Sequence, residues 1–69
     1  MTNTTKTLIN NIAAELFLQS KAVKKWVKYN NYSTDQLIFL SKQISNNDIP
    51  ILKLVCAIIN NSKYRISIY

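Results

Sequence analysis

Lys21, Lys24, Lys25 and Lys28 lie in the stretch SKAVKKWVK. At helical pitch their spacing of i, i+3, i+4 and i+7 puts four ammonium groups on one face. No acidic residue stands among them to relieve their repulsion. A solvated lysine face is the ordinary alternative, but such a face usually has glutamates interspersed. Here the chemistry on offer is recognition of an external anion. Lysine neutralises phosphates and donates to guanine O6 and N7, and the preceding Gln19 and Ser20 add hydrogen-bonding groups of the kind that read base edges.

Other chemistry is poorly provided for. The chain has no His, and its three acidic residues, Glu15, Asp35 and Asp48, are far apart in sequence. No acid–base pair, triad or metal-ligand cluster is legible, and the absence of Gly removes any glycine-rich phosphate loop. We therefore expect no catalytic residues, no metal, no cofactor and no small-molecule ligand. The single Cys56 has no intramolecular disulfide partner and no base beside it. It reads as a small buried apolar residue.

Nine Lys or Arg against three Asp or Glu give a net charge of +6, which favours nucleic acid, an anionic membrane or an acidic protein as partner. Sixty-nine residues suit one domain with one small core. The polar start MTNTTKTLINN does not resemble a secretory signal. The longest apolar stretch, residues 49–59, contains Pro50 and Lys53 and is too short to span a bilayer. A cytoplasmic setting is expected.

The elements that must carry the lysines are helices. Asn-Asn pairs at 10–11, 30–31, 46–47 and 60–61 punctuate the apolar pattern and mark candidate boundaries. Residues 5–18 read as helical, in one piece or broken at Asn10-Asn11. Residues 20–29 read as a helix with Ala22, Val23, Trp26 and Val27 opposite the lysines. In YSTDQL, Ser33 and Gln36 have capping-box spacing, and Tyr32 and Leu37 can staple, so the next helix covers 33–45. Asp48 is expected to cap a helix over 48–59, with Pro50 in its first turn. One face of that helix carries Leu52, Val55, Cys56 and Ile59. Ile51, Leu54 and Ile58 widen it, which predicts a largely buried helix. In the tail, Tyr64, Ile66 and Ile68 alternate with polar or edge positions, the period of a strand over 64–69.

Residues 9–28 have the spacing of a helix-turn-helix. A small residue, Ala13, suits a close crossing. Ile12, Leu16 and Leu18 flank the crossing and the turn, and Val23 and Trp26 point into the core. Phe17 stands at the turn position that favours glycine. It could hold a left-handed backbone at a cost of about 1–2 kcal/mol, or the turn could be a right-handed distortion. An ordinary amphipathic helix pair is the plainer alternative.

AAELFLQSKAVKKW followed by DQLIFLSKQISNNDIPIL resembles the Cro and lambda-repressor-like family of small phage-type transcriptional regulators. The resemblance covers roughly residues 8–55. It implies an all-α domain of four to five helices that binds double-stranded DNA at a palindromic operator as a homodimer, inside a bacterial host cell if phage-encoded. It places Gln19, Ser20, Lys21 and Lys24 at base-reading positions. Lys25 and Lys28 would hold phosphates, and Tyr29 could join them or edge the core. The first helix of that fold would have to be very short or fused with the second, and residues after Asn60 could cover the core in its place. Tyr64, Ile66 and Ile68 are the expected dimer contacts through strand pairing, with helix 48–59 as the alternative interface. Two other classes stay open. One is a small basic helical module that binds a protein, as an antitoxin or an inhibitor of a nucleic-acid-handling enzyme does. The other is a peptide lying on anionic lipid.

Overall fold

The computed structural model describes residues 3–66 and contains four helices. These are α1 (Asn3–Glu15), α2 (Ser20–Asn30), α3 (Thr34–Ser45) and α4 (Ile51–Ile59). α1 packs against both α2 and α3, and α4 packs on α2. The radius of gyration, 10.6 Å, is close to the roughly 11 Å expected of a single globule of this length. The all-α class is as expected.

Each helix ends in the same way. Phe17, Asn31, Asn47 and Asn61 have φ of 56°, 57°, 57° and 51°. In each case the left-handed residue donates its N–H to a carbonyl three residues back, and the next residue donates to one five back. The longer bonds are Leu18 to Ala13, Tyr32 to Val27, Asp48 to Gln43 and Ser62 to Ala57, at 2.8–3.2 Å. This is the Schellman arrangement, which satisfies carbonyls that a helix end would otherwise leave bare. Asn is the residue other than Gly that tolerates this backbone best, and the second Asn of three Asn-Asn pairs fills the position. The pair at 10–11 does not break its helix: α1 is one continuous piece.

α3 begins as its sequence dictates. Ser33 Oγ accepts from the Gln36 N–H at 3.3 Å, and Gln36 Oε1 accepts from the Ser33 N–H at 2.8 Å. Leu37 is fully buried and Tyr32 packs against the same core. α4 departs from expectation. Asp48 does not cap it; its N–H closes the turn after α3, and Pro50 takes the N-cap position without a side-chain bond. The reason is steric. Proline disfavours helical backbone at Ile49, so Ile49 cannot be the first helical residue behind an Asp48 cap.

The core combines Ile9, Ile12, Ala13 and Leu16 of α1 with Val23, Trp26 and Val27 of α2, then Leu37, Leu40 and Ile44 of α3 and Leu54 and Ile58 of α4. α4 turns its 51-54-55-58 stripe inward, not the stripe one residue further on. Leu52 is 76% exposed and Ile59 63% exposed. Cys56 is exposed too, which corrects its assignment to the core.

The segment after α4 is pinned to α2. The Trp26 indole N–H donates to the Ser62 carbonyl at 2.9 Å. Asn30 Nδ2 donates to the carbonyls of Trp26 and Ser62, and Asn30 Oδ1 accepts from the Tyr64 N–H at 3.1 Å. Tyr64 meets the Trp26 ring edge-on, and Tyr64 and Ile66 pack against the core. Residues 62–66 thus cover the core as the sequence allowed, but they form no strand. The expected strand's remaining residues, 67–69 with Ile68, lie outside the described residues.

Two outcomes follow from this geometry. Phe17 pairs a left-handed backbone with a side chain that is 95% exposed, so Phe17→Gly removes strain and forfeits almost no packing. We expect it to stabilise the fold by about 0.5–1 kcal/mol, less than the full strain because glycine loosens the unfolded chain. That raises the melting temperature by several degrees in a domain of this size; an unchanged or lower midpoint would contradict it. Secondly, the Tyr32 hydroxyl is buried without a hydrogen-bond partner. Burial, with a smaller effect from Tyr64, pushes its pKa up from 10.0 to about 12. The folded state therefore holds this proton after the unfolded state has lost it. Its stabilising effect is complete below pH 10 and is lost as pH rises toward 12. Tyr32→Phe should flatten the fall in melting temperature across that interval and cost nothing at pH 7.

Candidate nucleic-acid interface

α2 follows α1 through a short connection made by residues 16–19. The connection is short because Phe17 reverses the chain at once. Leu18 then reaches the core, and Gln19 enters the extended backbone that starts α2, with φ −74° and ψ 139°. The inward face of α2 follows from Val23, Trp26 and Val27, all buried. The motif-core residues Ile12, Ala13, Leu16, Val23 and Trp26 are buried together, and Leu18 is half-buried against them.

With that face committed, the lysines can only point outward. Gln19, Ser20, Lys21, Lys24, Lys25 and Lys28 are all exposed. They form one surface on one rigid helix, since the residues behind them belong to the core. The four lysines make four i,i+3 or i,i+4 neighbour pairs, each opposing helix formation by about 0.2–0.5 kcal/mol in water. The core behind α2 offsets that cost. Tyr29 is half exposed beside them, and the Lys63 ammonium sits 5.7 Å from the centre of its ring.

Two clefts flank the helix. Between α1 and the start of α2, Lys6 and Asn10 face Ser20, Lys21 and Lys24. Between α2 and the end of α4, Gln19, Lys21 and Lys25 share a groove with Ile58, Ile59 and Asn61. Lys6, Asn10 and Lys63 are therefore neighbours of the basic face that the sequence reading missed. For Lys6 and Asn10 a signal existed: they precede Ala13 by seven and three residues, on the helical repeat that faces α2. For Lys63 there was none, because its position depends on how the tail folds back.

The dimer residues fare differently. Tyr64 and Ile66 are half-buried against their own core and do not form a free edge. The apolar surface left open is instead the Leu52–Cys56–Ile59 side of α4. Among the described residues no group of three or more His, Cys, Asp or Glu comes together, and no helix is long and apolar enough to cross a membrane. Comparison of the chain with protein-family models, with curated proteins and with solved structures finds no match.

Proposed function

We propose that this chain binds duplex DNA as a small Cro-like transcriptional regulator, with α1 and α2 acting as a helix-turn-helix and α2 entering the major groove. One observation carries the reading. The left-handed residue at Phe17 turns the chain where a helix-turn-helix needs it, and the helix that follows has its inner face buried and its outer face basic. Gln19, Ser20, Lys21 and Lys24, near the start of α2, read bases. Lys25, Lys28 and Tyr29 hold phosphates. A lone helix contacts only a few base pairs, so two copies bind half-sites about one helical turn, roughly 34 Å, apart on a palindromic operator.

The copies meet through α4. Leu52, Cys56 and Ile59 make an exposed apolar stripe with no charge on it. Exposed apolar surface of a few hundred Å² per copy is well short of the roughly 800 Å² per partner typical of a stable complex. The pairing is therefore weak in solution and completed on DNA. Two bodies of 27 × 26 × 20 Å side by side can span one turn of duplex.

One observation favours a second reading, a protein-binding module. Among the described residues Phe17 is the most exposed large apolar side chain, and it sits on a strained backbone, a combination found at interaction sites. The same DNA experiment separates the two.

For that experiment, a duplex is selected from random sequence and binding is titrated with salt. Lys25→Ala and Lys28→Ala should weaken selected and scrambled duplexes alike and flatten log affinity against log salt by about one unit per protomer. Lys21→Ala and Lys24→Ala should also narrow the preference for the selected site, by roughly 1–3 kcal/mol per lost contact. None should lower the melting temperature. Absence of salt-dependent duplex binding by the wild type would overturn the DNA reading and leave the protein partner. The dimer has its own check. In two antiparallel α4 helices related by a two-fold axis, Cys56 near the middle of the stripe meets its own copy. Mild oxidation should trap a Cys56-linked dimer far faster with operator present than without. No trapping in either case would exclude this interface.

A further inference from the structure

We propose that Lys6 and Asn10 of α1, together with Ser20, Lys21 and Lys24 of α2, form a seat for one phosphate of the duplex backbone, so that α1 clamps the DNA strand beside the helix that reads it. The proposal rests on the DNA reading above and extends it to residues outside α2. The cleft has a volume of about 250 Å³ and is lined by Lys6, Ile9, Asn10, Ser20, Lys21 and Lys24. Ile9 is buried, so the cleft has an apolar floor, and the polar residues around it are exposed at its rim. Three lysines, Lys6 of α1 and Lys21 and Lys24 of α2, line it from two helices. No carboxylate lines it, and the only acidic residues of the chain are Glu15, Asp35 and Asp48.

Three like charges gathered around one hollow repel one another, and only an anion from outside relieves them. The rim supplies what a phosphodiester needs: ammonium donors for its two unesterified oxygens, and the Asn10 amide and Ser20 hydroxyl as further donors. The occupant is a phosphodiester and not a free base because the cleft lies to the side of the outward face of α2. A groove-bound α2 would have the flanking strand pass along its α1 side. Lys21 lines both clefts beside α2, so on this proposal it serves a base edge and the neighbouring phosphate together. The continuity of α1 back to Asn3 matters here. A helix that began at Ile9 would have no lysine to offer on this side.

The test compares Lys6→Ala with Lys42→Ala, which removes the same charge from α3. If Lys6 seats a phosphate, its loss should weaken selected and scrambled duplexes equally and flatten the salt dependence by about 0.9 per protomer. Between 50 and 200 mM salt the wild type would then lose roughly threefold more affinity per protomer than the variant. Lys42→Ala should leave the slope unchanged. Neutral methylphosphonates placed one at a time along the selected duplex add position. One phosphate per half-site should matter to the wild type and cease to matter in Lys6→Ala. If the wild type binds salt-dependently but Lys6→Ala behaves like Lys42→Ala, or no phosphate couples to Lys6, the clamp is wrong and the DNA reading stands. If the wild type binds no duplex, both fall together.

Discussion

A chain that packs four helices into about sixty residues must reverse direction sharply, and each reversal leaves carbonyls at a helix end with no partner inside the helix. This protein meets that constraint without a single glycine. A left-handed residue follows each helix, and paired backbone bonds return the chain to the carbonyls it would otherwise strand. Three of the four reversals use Asn, whose cost in this conformation is small. The fourth uses Phe17, where the cost is larger and the side chain gains nothing from its own core. Everything that depends on the angle between α1 and α2 depends on that residue, including the close approach at Ala13 and the direction in which the lysines point.

Trp26 is the second point on which the packing turns. Its ring is fully buried, tilted against Tyr32 and edge-on to Tyr64, and its indole N–H is used by the chain after α4. Asn30, one turn later, joins the same carbonyl and adds a bond to Tyr64. These bonds draw an otherwise irregular segment over a core that four short helices do not close. A buried Trp needs its N–H satisfied, and here that requirement ties the tail to the helix that carries the basic face.

The lysine surface of α2 and the open apolar side of α4 differ in kind. The lysine surface is held out by a rigid inner face and works against its own helix, which suits a role that ends in neutralisation by an anion. The apolar stripe of α4 is uncharged and open to water, which suits weak self-contact. α4 packs on α2, so any contact made through one bears on the orientation of the other. On the proposed DNA reading, weak pairing would be completed on the site, since the second copy then binds at high effective concentration.

How much of this was legible in the sequence depends on whether a signal is local. The capping box at Ser33 and Gln36, the inward face of α2 and the outward lysines all follow from spacing along one helix, so they could be read without a fold. So could the three Asn-marked reversals, because Asn is favoured there for reasons of its own backbone. Asn10-Asn11 left a continuous and a broken helix both open, and the continuous one formed, because Asn is tolerated inside a helix when neighbours on either side supply the core. The start of α4 was misjudged where two local rules competed, and the proline's restriction on Ile49 prevailed over Asp48 as a cap. The rest was decided by tertiary structure. α4 carries two apolar stripes one residue apart, and only its neighbours determine which is covered; that choice exposed Leu52, Cys56 and Ile59. Tyr64 and Ile66 alternate like a strand, yet Trp26 and Asn30 offered their segment hydrogen bonds that no partner strand had to supply. The spacing along α1 put Lys6 on the side of Ala13, but only the crossing of the two helices brought it beside Lys21 and Lys24.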